Sequence, residues 1–587
     1  MHSTRLGPAA ILLVAVVAGC RSPLERSLEQ GLREQLITTN REYRQAVAAG
    51  PVIELSREPS DVEQKLPPER RAELDGLSGP DAYDQDTMKL GADLLGDRDP
   101  NTVAMSLNRA IQLSVRNNLD VQVARLVPAI NQTQITQAEA VFDAVVFSNL
   151  DHQKLDTPLP PTVSLAAEPL FGAVKSETTS WTTGIRKRLS SGGVVTLQNE
   201  ITRNERDPAL FELNPYYDTN VLFSIEQPLL RNFGSDVNRA QILLNQNLRS
   251  QGVADLRTRL LDTIAATEEA YWNLVFARQQ LLIQQRLLDR TISDRDRLEK
   301  RGGFDASPAQ ITQANSFVEQ ARANTIRARQ DVRRTSDALK RLINAPDMSV
   351  ASEALIVPLE KPADVPIQFS LLDAVTTALR VRPEIRDALL QISDASIRQR
   401  VADNLRLPQL NLRATVRFNG VGDETDEAYD MVDDFDFIDY LLRAEFEIPI
   451  GNRSAQALYD QRTIERRAFV IAYRNRAQIV VLEVKNALRD LIRDYELIGA
   501  ARAARRSAAD NLRVLDEQER AGEALTPEFV DRKLQAETRL ANTETQEIQA
   551  LTDYNTSISN LHRAMGTLLD RNGIVFDDPM DDPVHVD

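Results

Sequence analysis

Asn220-Val221-Leu222-Phe223-Ser224-Ile225-Glu226-Gln227-Pro228-Leu229-Leu230 alternates apolar and polar residues and then breaks at a proline. A short loop later the chain enters Asn238-Arg239-Ala240 and a helical pattern that runs to Lys300, with no proline between Pro228 and Pro308. A helix of about 65 residues at 1.5 Å rise spans roughly 100 Å. That is several times the usual length and needs a particular reason. A strand feeding straight into such a helix is unusual, and it happens twice. Residues 442–448 alternate in the same way and lead into a second uninterrupted helical pattern over 452–520.

Working outward, both long helices end in related turns. The first is Arg301-Gly302-Gly303-Phe304-Asp305-Ala306-Ser307-Pro308, and the second is Arg520-Ala521-Gly522-Glu523-Ala524-Leu525-Thr526-Pro527. Glycine suits the end of one helix, and Ser/Thr followed by Pro suits the N-cap and first position of the next. Returning helices are expected over 308–343 and 527–569. Upstream, Ser106-Leu107-x-x-Ala110 matches Ser370-Leu371-x-x-Ala374, and each leads to an alternating strand near 142–151 or 409–419. Gln227-Pro228-Leu229 stands where Ile448-Pro449-Ile450 stands in the other half. Each half therefore reads as helix, strands, very long helix, tight turn and returning helix, the mark of an internal duplication.

The strands are two-faced. Leu410, Leu412, Ala414, Val416 and Phe418 alternate with Asn411, Arg413, Thr415, Arg417 and Asn419. Leu442, Ala444, Phe446 and Ile448 alternate with Arg443, Glu445 and Glu447. Lipid-facing apolar and lumen-facing polar residues are the pattern of a membrane barrel with a wet interior. The first half carries extra material, since 181–189 and 194–202 alternate around Ser190-Ser191-Gly192-Gly193, a hairpin signal. This hairpin either inserts between the two strands of the first half or folds over a loop. The long helices are amphipathic, with Tyr271, Leu274, Val275, Leu281 and Leu282 at three- and four-residue spacing.

The chain begins with Arg5, an apolar run from Ala9 to Ala18 and then Val17-Ala18-Gly19-Cys20. The run is too short to span a bilayer and fits a signal peptide over residues 1–19. Its last four residues resemble the bacterial lipobox, which implies acylation at Cys20 and, with Arg21 following, an outer-membrane address. The alternative is an ordinary buried thiol. Residues 20–100 are acidic and proline-punctuated; 27–49 fit a helix, and the remainder reads as linker or a loosely packed coat. Cys20 is the single cysteine, and the four histidines are scattered, so no metal cage and no cofactor is expected. The net charge of −16 argues against nucleic acid as a partner. No nucleophile elbow or phosphate loop is present, so no enzyme is indicated.

Taken together, residues 101–571 resemble the outer-membrane efflux proteins of the TolC family. The carriers are the paired Ser-Leu-x-x-Ala openings, Gln227-Pro228-Leu229-Leu230, Glu269-Ala270-Tyr271-Trp272-Asn273-Leu274, the two glycine turns and the duplication. The resemblance implies a mainly α chain with membrane β: a trimeric outer-membrane β-barrel continuous with a long periplasmic α-helical barrel, with two structural repeats per protomer. The repeats would span 101–345 and 370–571, around an equatorial linker at 346–369 and before an acidic tail at 572–587. It further implies a homotrimer in outer-membrane lipid that serves as the passive exit duct for a periplasmic adaptor and an inner-membrane pump, in efflux or type I secretion. Family members usually give four strands per protomer, and the extra hairpin would raise that to six. Gly302, Gly303, Ser307, Gly522 and Thr526 would form the tip where the adaptor docks. Glu523, Glu528 and Asp531 are candidates for an acidic ring narrowing that tip, with neutral Gln310 at the matching first-half position. Glu528 and Asp531 read equally as ordinary first-turn helix acids. The competing function is a lipid-anchored periplasmic coiled-coil scaffold without a channel, which would need no polar lumen.

Overall fold

The computed structural model describes residues 52–84, 86–91, 94, 101–158, 173–207, 213–301 and 307–576. Cys20 with its apolar leader, and Gly302 and Gly303, lie outside the described residues. In chain order the elements are β1 (Ile53–Glu54), α1 (Asp61–Lys65), α2 (Pro68–Ser78), β2 (Thr102–Met105), α3 (Leu107–Asn117) and α4 (Leu119–Glu139). Then come β3 (Ala144–Pro158), β4 (Ala173–Arg188), β5 (Val194–Asp207), β6 (Tyr216–Pro228), α5 (Ser235–Asn238), α6 (Ala240–Lys300) and α7 (Pro308–Ile343). The second half holds β7 (Leu355–Pro358), β8 (Gln368–Phe369), α8 (Leu371–Val381), α9 (Pro383–Leu405), β9 (Gln409–Gly422), α10 (Thr425–Asp433) and β10 (Phe437–Glu447). It closes with α11 (Arg453–Arg520), α12 (Pro527–Met565) and α13 (Leu568–Arg571). Among the described residues, no helix is long and apolar enough to cross a membrane.

The chain divides into two compact units. The first comprises Ala129–Ser250 and Leu389–Ala472 and contains the large sheet. Its six strands are ordered β10-β9-β6-β5-β4-β3, and every neighbouring pair is antiparallel. The hairpin β4–β5 is thus inserted between β3 and β6, which resolves the two readings of 181–202 in favour of insertion. The strands also outrun their alternating stretches. β3 extends through Lys154 and β5 through Arg206, and β10 begins at Phe437 rather than Leu442. Cross-strand pairing continues past the point where both faces turn polar, so alternation alone undercounts strand length.

In the same unit, side-chain amides staple helix to helix. Asn131 of α4 donates to the Leu248 carbonyl of α6 at 3.1 Å. Asn247 of α6 donates to Asp394 of α9 at 2.7 Å, and Gln399 of α9 to Thr463 of α11 at 3.0 Å. The helix order is therefore α4-α6-α9-α11. The helix that precedes edge strand β3 and the helix that follows edge strand β10 are themselves the two edges.

The second unit takes in residues 52–128, Gln251–Ala388 and 473–576 of the described chain. One core gathers Tyr271, Trp272, Leu274 and Leu281 of α6 with Leu339 of α7 and Leu355 and Ile356 of β7. Another gathers Leu298, Leu512, Phe529 and Leu534 from α6, α11 and α12. Two small strand pairs, β1 with β8 and β2 with β7, close the sides of the chain onto this unit. Tyr271 anchors the 346–369 stretch, its hydroxyl donating toward Met105 O and the Glu360 carboxylate while accepting the Leu359 and Glu360 amides at 3.1 Å.

Residues 60–84 are not a loose coat. Ser60 caps α1 with a full capping box, and Leu74 of α2 is fully buried in the Leu298–Phe529 core. Arg505 of α11, 1% exposed, reaches Asp75 at 2.6 Å and Ser78 at 3.0 Å from one side and Glu547 of α12 from the other. Arg506 holds the same Asp75 at 2.7 Å. Arg286 of α6 stacks over the Tyr83 ring, 4.0 Å from its centroid. Glu63 and Asp75, two of the acids that make this segment read as unstructured, are partners of arginines in α11.

Candidate functional site: the two-faced sheet and the helix turns

Directly paired residues on neighbouring strands share a sheet face. The register therefore sorts all six strands at once. One row crossing the sheet is Val146, Ile185, Leu197, Phe223, Val416 and Tyr440. The row beside it on the same face is Ala144, Lys187, Val195, Ile225, Ala414 and Leu442. Trp181, Leu150 and Ile201 also belong to this face, and Leu150 and Tyr440 are more than 70% exposed. The face is broadly apolar and largely uncovered.

The opposite face is mainly polar, with Phe147, Leu222 and Leu441 set among its polar residues. Glu226 of β6 pairs with Arg413 of β9, Nε to Oε2 at 3.0 Å. Ser180 donates to Glu200 at 3.1 Å, Asn204 to Asp218 at 3.0 Å and Asn419 to Asp439 at 2.9 Å. Side-chain hydrogen bonds between strands hold these carboxylates in place without burying them in protein.

Among the polar interruptions of the apolar face is a patch at Asn199, Thr219, Gly420 and Gly422. Helix α10 covers it. Asn199 Nδ2 donates to Tyr429 OH at 2.6 Å, and Phe418 meets Phe435 edge to face with centroids 5.1 Å apart. Gly420 is required there, because a Cβ would lie 1.9 Å from the Ala428 carbonyl oxygen. Sequence reading missed this helix. Its signal was the Gly420/Gly422 pair at the end of an otherwise bulky strand, followed by an acidic stretch with Ala428 and Val432 at four-residue spacing.

At the helix turns, Ser307 caps α7 and Thr526 caps α12, the latter accepting the Phe529 amide at 3.2 Å. Gly522 has φ of +91°, the left-handed conformation that ends α11. Gln310 is buried and joins the two turns. Its Oε1 accepts the Ser307 amide at 2.6 Å, and its Nε2 donates to the Leu525 carbonyl at 2.7 Å. A neutral amide at this position is a structural bridge. Glu523 and Glu528 are exposed, while Asp531 is half-buried and accepts from Gln313 at 2.5 Å and Gln535 at 2.7 Å. Glu528 also occupies the first turn of α12.

The chain matches no protein-family profile and no curated protein. Solved structures do match. A membrane protein from Pseudomonas aeruginosa is 17% identical with a TM-score of 0.57, over 78% of this chain and 93% of that one. The CmeC outer membrane channel of Campylobacter jejuni is 15% identical with a TM-score of 0.58, over 84% and 94%. The open state of the MtrE outer membrane channel of Neisseria gonorrhoeae is 16% identical with a TM-score of 0.54, over 82% and 95%. The fold is that of solved outer-membrane channels. The likeness spans most of both chains.

Proposed function

We propose that the chain is one third of an outer-membrane exit duct, passively conducting compounds delivered by a periplasmic adaptor and an inner-membrane pump. The observation that carries this reading is the register of the large sheet. Six strands from both halves of the chain, the inserted hairpin included, present one mainly apolar face and one mainly polar face. Lipid on the first and water on the second is the arrangement a membrane barrel requires. A periplasmic scaffold has no use for it.

Six strands are fewer than a membrane barrel closes with, and open edges are not tolerated in lipid. The edges β3 and β10 run antiparallel to each other, so β10 of one copy can pair with β3 of the next in the same sense as every other pair. Three copies would close eighteen strands, an even number as bacterial barrels have. The edge helices support the same assembly. On α4, Leu119, Val123, Leu126 and Ile130 form an exposed apolar stripe, and on α11 Ile464 and Ile471 are likewise bare. Each stripe is matched to an occupant if the next copy lies against it. The parallel order of elements in the two halves, with Ser106 and Ser370 capping matched helices, supports a duplication. By this reading the 521–526 turn and its first-half counterpart face the adaptor, and acylated Cys20 anchors the chain.

Purified in detergent, the protein is expected to be a trimer that conducts ions across planar bilayers. A stable monomer without conductance would overturn the duct reading.

A further inference from the structure

Buried charge in the helical unit is concentrated where α6, α11 and α12 meet, beside the 521–526 turn. Lys533 of α12 is 6% exposed and sits among acids from both other helices. Its Nζ is 3.5 Å from Asp294 of α6 and 3.2 Å from Asp516 of α11, and it pairs most closely with Glu519. Arg297 pairs with Asp294 and lies 3.2 Å from Glu519, which Arg301 also faces. Leu298, Leu525, Phe529 and Leu534 wall the small cavity beside this cluster, so the charges are held against apolar surface.

One turn further along α12, Glu537 breaks the pattern. It is 3% exposed, and the group facing it from α6 is another acid, Asp294. Lys533 on its own helix and Arg290 on α6 are the cations that oppose its protonation, and Arg290 is shared with Glu544. Neither Glu537 Oε2 nor Asp294 Oδ2 receives a hydrogen bond, although both atoms are buried. Ionised carboxylates only accept, so two of them face to face satisfy nothing. A single proton turns one into a donor for the other and removes one buried charge. A metal ion fits less well, because Lys533 already holds a positive charge at this point. Among the described residues no group of three His, Cys, Asp or Glu is arranged to hold one.

We propose that the junction of α6, α11 and α12 is a proton-binding site, in which one proton held between Glu537 and Asp294 locks α12 to α6 beside the turn. Burial, reinforced by the charge of Asp294, pushes Glu537 up to about 9. The folded value lies above the unfolded one, so the lock is complete in acid and is lost as pH rises through about 9. The site lies within one chain and stands whether or not three copies form a duct.

Infrared difference spectroscopy of the full-length protein in detergent tests it. A protonated-carboxyl band is expected at neutral pH, fading as pH is raised through about 9. Glu544, pushed up by burial to about 7, adds to the band near neutrality. A Glu544→Gln variant should therefore keep the band at about pH 8, whereas Glu537→Gln should lose it there. A wild-type protein with no carboxyl band titrating above neutrality, or a band at about pH 8 that survives Glu537→Gln, would overturn the proposal. Should Glu537→Gln fail to assemble, the titration of the wild-type and Glu544→Gln proteins decides it alone.

Discussion

At the scale of single residues, local chemistry was legible and distant partnership was not. Ser307 and Thr526 announce their caps because the acceptor and the amide lie three residues apart. Gln310 looked merely neutral, since its bridge runs to Leu525 in the other half of the chain. Asp75 looked like one acid in a linker or loosely packed coat, because Arg505 and Arg506 stand more than 400 residues away. Replacing Arg505 with Met leaves buried Glu547 and part-exposed Asp75 each short of one partner. We expect a loss of about 3 kcal/mol, the lower end for breaking a buried pair because Arg502 and Arg506 remain. A depressed melting temperature with unchanged helix content would be the readout. The same pair sets an acid limit. Burial raises the Asp75 carboxyl, but hydrogen bonds from Arg506 and Arg505 outweigh it and hold it below its ordinary value. A depressed folded value means stability present above the ordinary carboxylate range and lost as pH falls through the folded one. Glu544 and Glu537 act in the opposite sense, losing stability as pH rises through about 7 and about 9. Thermal stability of the detergent-solubilised protein should therefore peak between these limits, and Asp75→Asn should weaken the acid limb, to which the depressed Glu384 and Glu519 also contribute, while leaving the alkaline limb in place.

At the scale of elements, period decided almost everything. The long helices α6 and α11 have the bounds their proline-free patterns imply. β9 shows its two faces because each alternates without a break from Leu410 to Asn419. The hairpin was ambiguous for a physical reason. Between Trp181 and Ile185 its apolar face carries Thr183, and between Leu197 and Ile201 it carries Asn199, so each strand alone looks half-hearted. Only the register against Phe223 and Val221 of β6 shows that these residues extend an existing face. Leu197→Arg places a charge on that face and Gln198→Arg places one on the polar face. The first should cost about 2–4 kcal/mol if Leu197 meets lipid near the midplane, and the second little. Recovery of assembled protein in the outer-membrane fraction should fall severalfold for Leu197→Arg and stay near wild type for Gln198→Arg. Equal recovery of the two would remove the hairpin from the membrane wall.

At the scale of the whole molecule, the order of elements was legible because each half reads as helix, strands, very long helix, turn and returning helix, and the tip was left open because the proposed ring would draw its residues from several chains. Around one axis, three copies would bring three Glu528 and three Asp531 side chains together. Mutual repulsion in a narrow bore favours cations over anions, less so as salt screens it. In a single chain the same residues have local employment: Glu528 sits at the positive end of α12, and Asp531 accepts from Gln313 and Gln535. The two roles separate by magnitude. If Glu528 and Asp531 serve only their helix, Glu528→Gln with Asp531→Asn costs about 1 kcal/mol of stability and leaves ion selectivity alone. If they ring the bore, the double variant should conduct with a reversal potential, under a salt gradient, shifted clearly toward zero. Reversal potentials unchanged within error would take these two residues out of the ring. Cation preference would then fall to the polar wall of the sheet, where Glu200 and Asp218 are held by neutral donors.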